Sequence, residues 1–280
     1  MDFPVETSLN IPVSIKPYFT VSDWDTALPL MQSFMDTSPA GLHDWTVAGE
    51  ELSWRSTFDD MEDLLANIEL LGPLLEELTT GPAELSRFEI HGPSGDLERI
   101  QAAMGDTSFD VELFDSGTGF QSGFINRVGQ PQQERLLLRQ DTMCSSHPQF
   151  TVHDWQACKP LMNEFITRTA SEPGCAYFGW THSGDKLHWH GDYVDGEALK
   201  THYEQVRPLL EAMVDSPSTT LDRFEVHGPT EELKKATPMV ADLAGPALLE
   251  FQSDERVKRL VDYWEHKSAV TTAGTAAQAV

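Results

Sequence analysis

The chain is short of positive charge, of cysteine and of long apolar runs, and each shortage removes a class of function. Against 45 Asp and Glu it has only 19 Lys and Arg, a formal charge of −26 over 280 residues. Such a surface repels phosphate backbones and anionic headgroups, so neither nucleic acid nor membrane is expected as a partner. The cysteines Cys144, Cys158 and Cys175 are odd in number and none belongs to a CxxC pair. That excludes a disulfide framework and a zinc ribbon. The opening residues Met1 to Thr7 lack the basic start and apolar run of a signal peptide, and no apolar stretch has the length of a bilayer span. A cytoplasmic location is therefore the expectation. No nucleophile elbow and no phosphate-cradling glycine loop is present either.

What the chain does have is a statement made twice. Pro17-Tyr18-Phe19-Thr20-Val21-Ser22-Asp23-Trp24 returns as Pro148-Gln149-Phe150-Thr151-Val152-His153-Asp154-Trp155, and Leu85-Ser86-Arg87-Phe88-Glu89-Ile90-His91-Gly92-Pro93 returns as Leu221-Asp222-Arg223-Phe224-Glu225-Val226-His227-Gly228-Pro229. The offset drifts only from 131 to 136 residues, as expected of two copies of one domain of roughly 100 residues in tandem. With 40% hydrophobic residues the chain can fill two cores. A duplication also supplies its own control: polar residues kept in both copies point to the fold, and those found in one copy point to function.

Each copy reads in the same order. A β-rich run (Phe19 to Val21; Phe150 to Val152) leads into a helix. A hairpin then turns at Gly49 or Gly184, with Trp45 and Trp54 in the first copy matched by Trp180 and Trp189 in the second. A second helix carries Leu64, Ile68, Leu71, Leu75 and Leu78, or Leu199, Tyr203, Val206, Leu210 and Met213, at the spacing of a buried stripe. The strand ending in His-Gly-Pro, a short helix and a last β-like run close the copy. This is the split βαβ order, an antiparallel sheet with helices on one face. The expected fold class is α+β: two tandem ferredoxin-like domains packed sheet on sheet as an intramolecular barrel, a pseudo-dimer that needs no second chain and is a monomer at its simplest. The expected divisions are an N-terminal arm (1–16), repeat 1 (17–115), a Gly/Ser/Gln-rich linker (116–147), repeat 2 (148–253), and a C-terminal helix with a mobile tail (254–280).

At this point the residues resemble a family. Ser171-Glu172-Pro173-Gly174-Cys175 is similar to the Glu-Pro-Gly-Cys turn of the antibiotic biosynthesis monooxygenase group, in the dimeric α+β barrel superfamily. Asp192-Tyr193-Val194-Asp195-Gly196-Glu197-Ala198-Leu199, followed by His202, is similar to its strand-to-helix junction and helix histidine. The first copy is more degenerate, with Pro39-Ala40-Gly41 at the turn and Asn67 at the histidine position. The resemblance implies a cavity between helices and sheet and, among other activities, cofactor-independent monooxygenation.

The second copy holds the histidines. His182, His188 and His190 stand where the first copy has Val47, Ser53 and Arg55, and His202 interrupts an apolar helical stripe. Strand alternation puts His188 and His190 on one face. A two- or four-residue turn at Gly184-Asp185 places His182 on the other face, and a three-residue bulged loop reverses that.

Three readings follow. In the first, His202 with His188 or His190 are general bases that ionise a phenolic or quinol-like substrate toward O2. Trp189, Tyr193, His182 and Trp180 then contact the substrate, and no cofactor is required. In the second, His188, His190 and His182 bind a divalent transition metal, with His202 or an acid such as Asp192 as other third ligands. In the third, the barrel is a binding or scaffold protein without catalysis. His91 and His227, present in both copies, read as structural.

Overall fold

The computed structural model describes residues 13–37, 42–58, 60–104, 110–121 and 144–257. Most of the N-terminal arm (1–12), the body of the linker (122–143) and the tail (258–280) lie outside the described residues. The strands are β1 (Val13–Val21), β2 (Leu42–Ala48), β3 (Glu51–Phe58), β4 (Ala83–Gly92), β5 (Glu112–Gln121), β6 (Cys144–Val152), β7 (Cys175–Ser183), β8 (Lys186–Tyr193), β9 (Thr219–Gly228) and β10 (Leu248–Gln252). The helices are α1 (Trp24–Thr37), α2 (Met61–Thr80), α3 (Ser94–Met104), α4 (Trp155–Thr169), α5 (Gly196–Val214), α6 (Thr230–Ala236) and the single turn α7 (Ala241–Ala244).

Local sequence accounts for the boundaries. Asp60, Asp154 and Asp195 cap α2, α4 and α5 by accepting backbone N–H groups of the first turn. Both hairpins close in two residues, with Gly49 (φ 64°) and Gly184 (φ 60°) at the first turn position. That positive φ is what a tight hairpin demands and what glycine supplies without strain. None of the described helices is long and apolar enough to cross a membrane.

The expectation of two ferredoxin-like domains packed sheet on sheet is overturned. The strands run β1-β3-β2-β10-β9-β6-β8-β7-β5-β4 and back to β1, one closed barrel of mixed sense. Closure comes from the last strand of each half. β5 lies parallel to β4 and then pairs antiparallel with β7 of the other half, from Asp115↔His182 to Gln121↔Tyr177. β10 lies parallel to β9 and meets β2 at Gln252↔Val47. Two facing sheets would leave four edges of unpaired N–H and C=O groups, which closure removes. The inward residues also rule out a sandwich. Lys16, Glu89, His91, His147, Glu225 and His227 face the lumen, and such groups fill a polar interior but not an apolar sheet interface.

Apolar packing lies instead on the outer face of the barrel, beneath the helices. One cluster joins α1 and α2 to the first half through Phe34, Trp45, Trp54 and Leu64. The other joins α4 and α5 to the second through Phe165, Trp180, Trp189 and Leu199. The two halves clasp through the lumen. Lys16 Nζ and Tyr18 Oη donate to Glu225 at 2.6 Å each, Arg87 reaches Gln149 and Glu225, and Arg55 forms a two-pronged pair with Asp192 at 2.5 and 2.6 Å.

Candidate functional site

The hairpin register decides which histidines meet. In β7–β8, Trp180 faces Trp189, Thr181 faces His188 and His182 faces Leu187 across a two-residue turn. His188 and His190 therefore point into the lumen. Leu187, Trp189, Gly191 and Tyr193 point out beneath the helices. His182 lies on this outer side, its ring 5.7 Å from that of Trp155, so it is not a third ligand beside His188 and His190. His202, on α5, is also on the outer side. The sheet itself separates it from the His188/His190 pair, and the three expected bases form two places rather than one.

The outer place is a closed aromatic chamber around His202. The ring lies 4.9 Å from Trp189, 4.9 Å from Tyr193 and 5.8 Å from Phe178, and the residue is fully buried. Its Nδ1 is 2.9 and 3.1 Å from the two carboxylate oxygens of Glu172, itself buried. A carboxylate accepts only, so Nδ1 carries the hydrogen and Nε2 keeps its lone pair. Nε2 is buried without a partner, as are Trp180 Nε1, Trp189 Nε1 and Tyr193 Oη. Burial lowers the His202 pKa while Glu172 works in the opposite sense, and the net shift is downward. The imidazole is neutral at neutral pH: a desolvated base with an oriented lone pair.

The sequence builds this chamber through two glycines. A Cβ on Gly174 would stand 2.4 Å from the Ala198 Cβ, so only glycine lets the Glu172 turn close onto the first turn of α5, one helical turn from His202. A Cβ on Gly191 would stand 2.5 Å from Tyr193 Oη and 2.8 Å from Trp189 Nε1. In the first half this position is Ser56, whose Oγ accepts from Trp54 Nε1 at 2.6 Å. Glycine at 191 deletes the acceptor and leaves the indole N–H of Trp189 unclaimed. Tyr193 replaces Phe58, and His202 replaces Asn67.

The inner place is the lumen. His91 stacks on Phe114 (centroids 4.7 Å) and His227 on Phe251 (4.6 Å). Each ring is held through Nδ1 by a threonine of the opposite half, Thr181 at 2.9 Å and Thr46 at 2.8 Å, and through Nε2 by Glu89 or Glu225 at 3.2 Å. Burial would raise the pKa of Glu89, but Arg87, His188 and His91 hold it at about 2. Burial brings His188 down to about 3 and His227 to about 4, and pushes His190 and His147 well below the usual imidazole range. All are neutral at neutral pH, the state in which imidazole binds metals.

The sequence pattern missed three contributors. His147 falls inside the segment read as linker, yet its Nδ1 contacts His190 Nδ1 at 2.9 Å. Glu172 had registered only as part of a turn. His91, set aside because both halves have it, lies against His190 with ring centroids 4.4 Å apart. The three cysteines are buried, and burial raises their thiols, to about 12 for Cys144 and about 11 for Cys158, which suits inert packing and not nucleophilic attack.

No protein-family model matches the chain, and no curated protein does. Among solved structures, MupZ from Pseudomonas fluorescens is 28% identical over 41% of this chain and 92% of its own, with a TM-score of 0.35. A candidate monooxygenase from Fusobacterium nucleatum is 9% identical over 78% of this chain and 91% of its own, with a TM-score of 0.49. An anthrone oxidase-like protein is 10% identical over 70% and 85%, with a TM-score of 0.36. Likeness this distant transfers no residue roles, so the chemistry rests on the side chains of this chain.

Proposed function

We propose that the chain is a general-base oxygenase of the second half, acting on a small phenolic or quinol-like substrate. The observation that carries this reading is the His202–Glu172 pair: a buried neutral imidazole, its Nδ1–H committed to a carboxylate and its Nε2 facing aromatic walls with nothing to bind. Nε2 takes the proton of the acidic O–H or C–H, and the imidazolium that forms is stabilised by Glu172. The resulting anion is the reductant. It adds O2 to give a carbon-bound hydroperoxide after the imidazolium returns its proton. Loss of water from a methylene centre then leaves a carbonyl, so one oxygen atom enters the product and the other leaves as water. The electrons come from the substrate, and a cofactor is not required for balance. The indole N–H groups of Trp189 and Trp180 and the Tyr193 hydroxyl are unclaimed donors suited to an oxyanion as it develops.

His202 has no exposed surface. A substrate therefore reaches Nε2 only by displacing part of the chamber wall.

The test separates proton removal from oxygenation. Oxygen uptake on a panel of hydroquinones and anthrones is compared for wild type, His202→Asn and Glu172→Gln. Under anaerobic conditions, exchange of the anthrone methylene C–H for deuterium is followed in parallel, since hydroxyl protons exchange with water unaided. Wild type catalyses both and His202→Asn neither. Oxygen uptake that survives His202→Asn would remove the base from the mechanism, and a wild type inert toward the whole panel would favour a scaffold.

A further inference from the structure

We propose that the lumen holds a divalent transition-metal site made by His91, His188 and His190, on the opposite face of the sheet from the His202 chamber. Among the described residues, one donor atom from each of these three buried histidines lies within 4.8 Å of the others. Zinc, cobalt or iron bound to three imidazoles holds its nitrogens somewhat closer than that, at about 2.0–2.1 Å from the ion. Small rotations about the side-chain bonds close the gap.

A second observation points into the same space. His190 Nε2 is buried without a partner. Its other nitrogen is already committed: Nδ1 lies 2.9 Å from His147 Nδ1, and His147 Nε2 lies 2.9 Å from Ser145 Oγ. One tautomer arrangement satisfies that chain while leaving Nε2 of His190 as a lone pair. His190 Nδ1–H donates to His147 Nδ1, and His147 Nε2–H donates to the serine. Glu89 Oε2 is 3.2 Å from His91 Nε2, while His188 Nδ1, at 3.9 Å, stands beyond hydrogen-bond reach of it; His91 offers its Nδ1 to an ion by releasing the Thr181 hydroxyl 2.9 Å away. His91 and His190 thus have hydrogen-bonded outer partners that fix their orientation, as metal-binding histidines commonly do, and His188 is held by ring contact with Phe114.

Charge permits the ion. The lumen cations Lys16, Arg55, Arg87 and Arg223 are paired with Glu225, Asp192, Glu89 and Glu51, so a divalent ion meets neutral ligands, with Glu89 as the nearby carboxylate that offsets the remaining repulsion from Lys16 and Arg55. All-imidazole coordination selects borderline metals such as zinc, cobalt, iron(II), nickel or copper over magnesium or calcium. Among the described residues the site is single, because the matching position around His227 has Ser53 and Arg55 where His188 and His190 would be needed. His91 comes from the first half and its two partners from the second, so the metal joins the halves.

The probes are Co2+ and Zn2+ added to the metal-stripped full chain. We expect one equivalent of Co2+ with ligand-field absorption, an X-ray absorption spectrum of the Zn2+ form with three imidazole nitrogens, and a thermal midpoint raised by metal. His190→Ala and His91→Ala abolish stoichiometric binding. His182→Ala and His202→Ala, on the outer side, leave it intact. Failure of wild type to retain either ion, or binding that survives both His91→Ala and His190→Ala, would overturn the site. The wild-type X-ray absorption spectrum decides the matter even if those variants do not fold, since oxygen-dominated coordination would be equally fatal. Metal binding and proton abstraction are read separately, so one proposal can fall without the other.

Discussion

The two halves share a framework and differ in what they leave unsatisfied. In the first half, Trp54 Nε1 is answered by Ser56, and Phe58 and Asn67 complete the helix-facing wall. In the second half the same four positions are Trp189, Gly191, Tyr193 and His202. Here the indole N–H, the phenol and one imidazole nitrogen are all buried without partners. The lumen repeats the lesson: Arg87, Glu89 and His91 match Arg223, Glu225 and His227, whereas Lys16, Ser53 and Arg55 are matched by His147, His188 and His190. Shared polar residues tie the halves together through charge and hydrogen bonds. Unshared ones add buried polar atoms that the fold does not use, beyond the indole N–H of Trp45 and Trp180 that both halves leave unpartnered, and an unpaired buried polar group costs stability that a ligand can repay.

The sharpest way to break this comparison is to make the second half resemble the first. His202→Asn restores the first-half residue and is expected to lower the turnover rate about 10²–10⁴-fold, with the far-UV circular dichroism spectrum unchanged. The next largest effect separates the two lumen glutamates. Glu225 answers Lys16, Tyr18, Arg87, Arg223 and His227, and Glu225→Gln leaves the Lys16 ammonium buried without its hydrogen-bonded counter-charge. Urea unfolding should register a loss of about 3–5 kcal/mol. Glu89→Gln should cost less, because Lys16 donates to Glu225 and feels Glu89 only at longer range.

Acid should act on stability in the same region. The His227 pKa is about 4 in the folded chain, below its unfolded value, so the unfolded state takes up a proton first as pH falls. Stability is full above the unfolded imidazole range, declines from about pH 6.5 downward and levels off below about pH 4, a loss of about 3 kcal/mol from this ring. Glu225, held well below its ordinary value, adds a loss of the same sign at lower pH. Denaturation midpoints measured from pH 7 to 4 should trace this decline, and a flat profile would mean the ring is already charged or exposed. The smallest effect is a repair. Gly191→Ser alone sets its Cβ against Tyr193 Oη, whereas Gly191→Ser with Tyr193→Phe copies the Ser56 and Phe58 arrangement. The double variant should recover about 1 kcal/mol relative to the single one in urea unfolding.

Much of the framework was legible because it is local. The hairpin turns and the buried stripe of α5 follow from glycine and helical spacing. Barrel closure was not legible, because β5 pairs with β7 across some sixty residues of chain, and residues 116–121 of that strand read as linker by their glycine and serine content. The lumen was hidden for a related reason. Alternating polar residues on β1, β4, β6 and β9 look solvent-facing until the sheet curls and turns them inward. His202 was visible as an anomaly in an apolar stripe, but its partner Glu172 was not, since a contact 30 residues away exists only once Gly174 lets the turn close on α5.

The central claim is that the second half holds a neutral, oriented base where the first half holds none. Nitrogen-15 chemical shifts of the His202 imidazole at pH 7 test it directly. The account predicts a protonated Nδ1 and a bare Nε2, with the bare nitrogen persisting below pH 6.5 as burial lowers the pKa. A ring protonated on both nitrogens at pH 7, or carrying its hydrogen on Nε2, would contradict it.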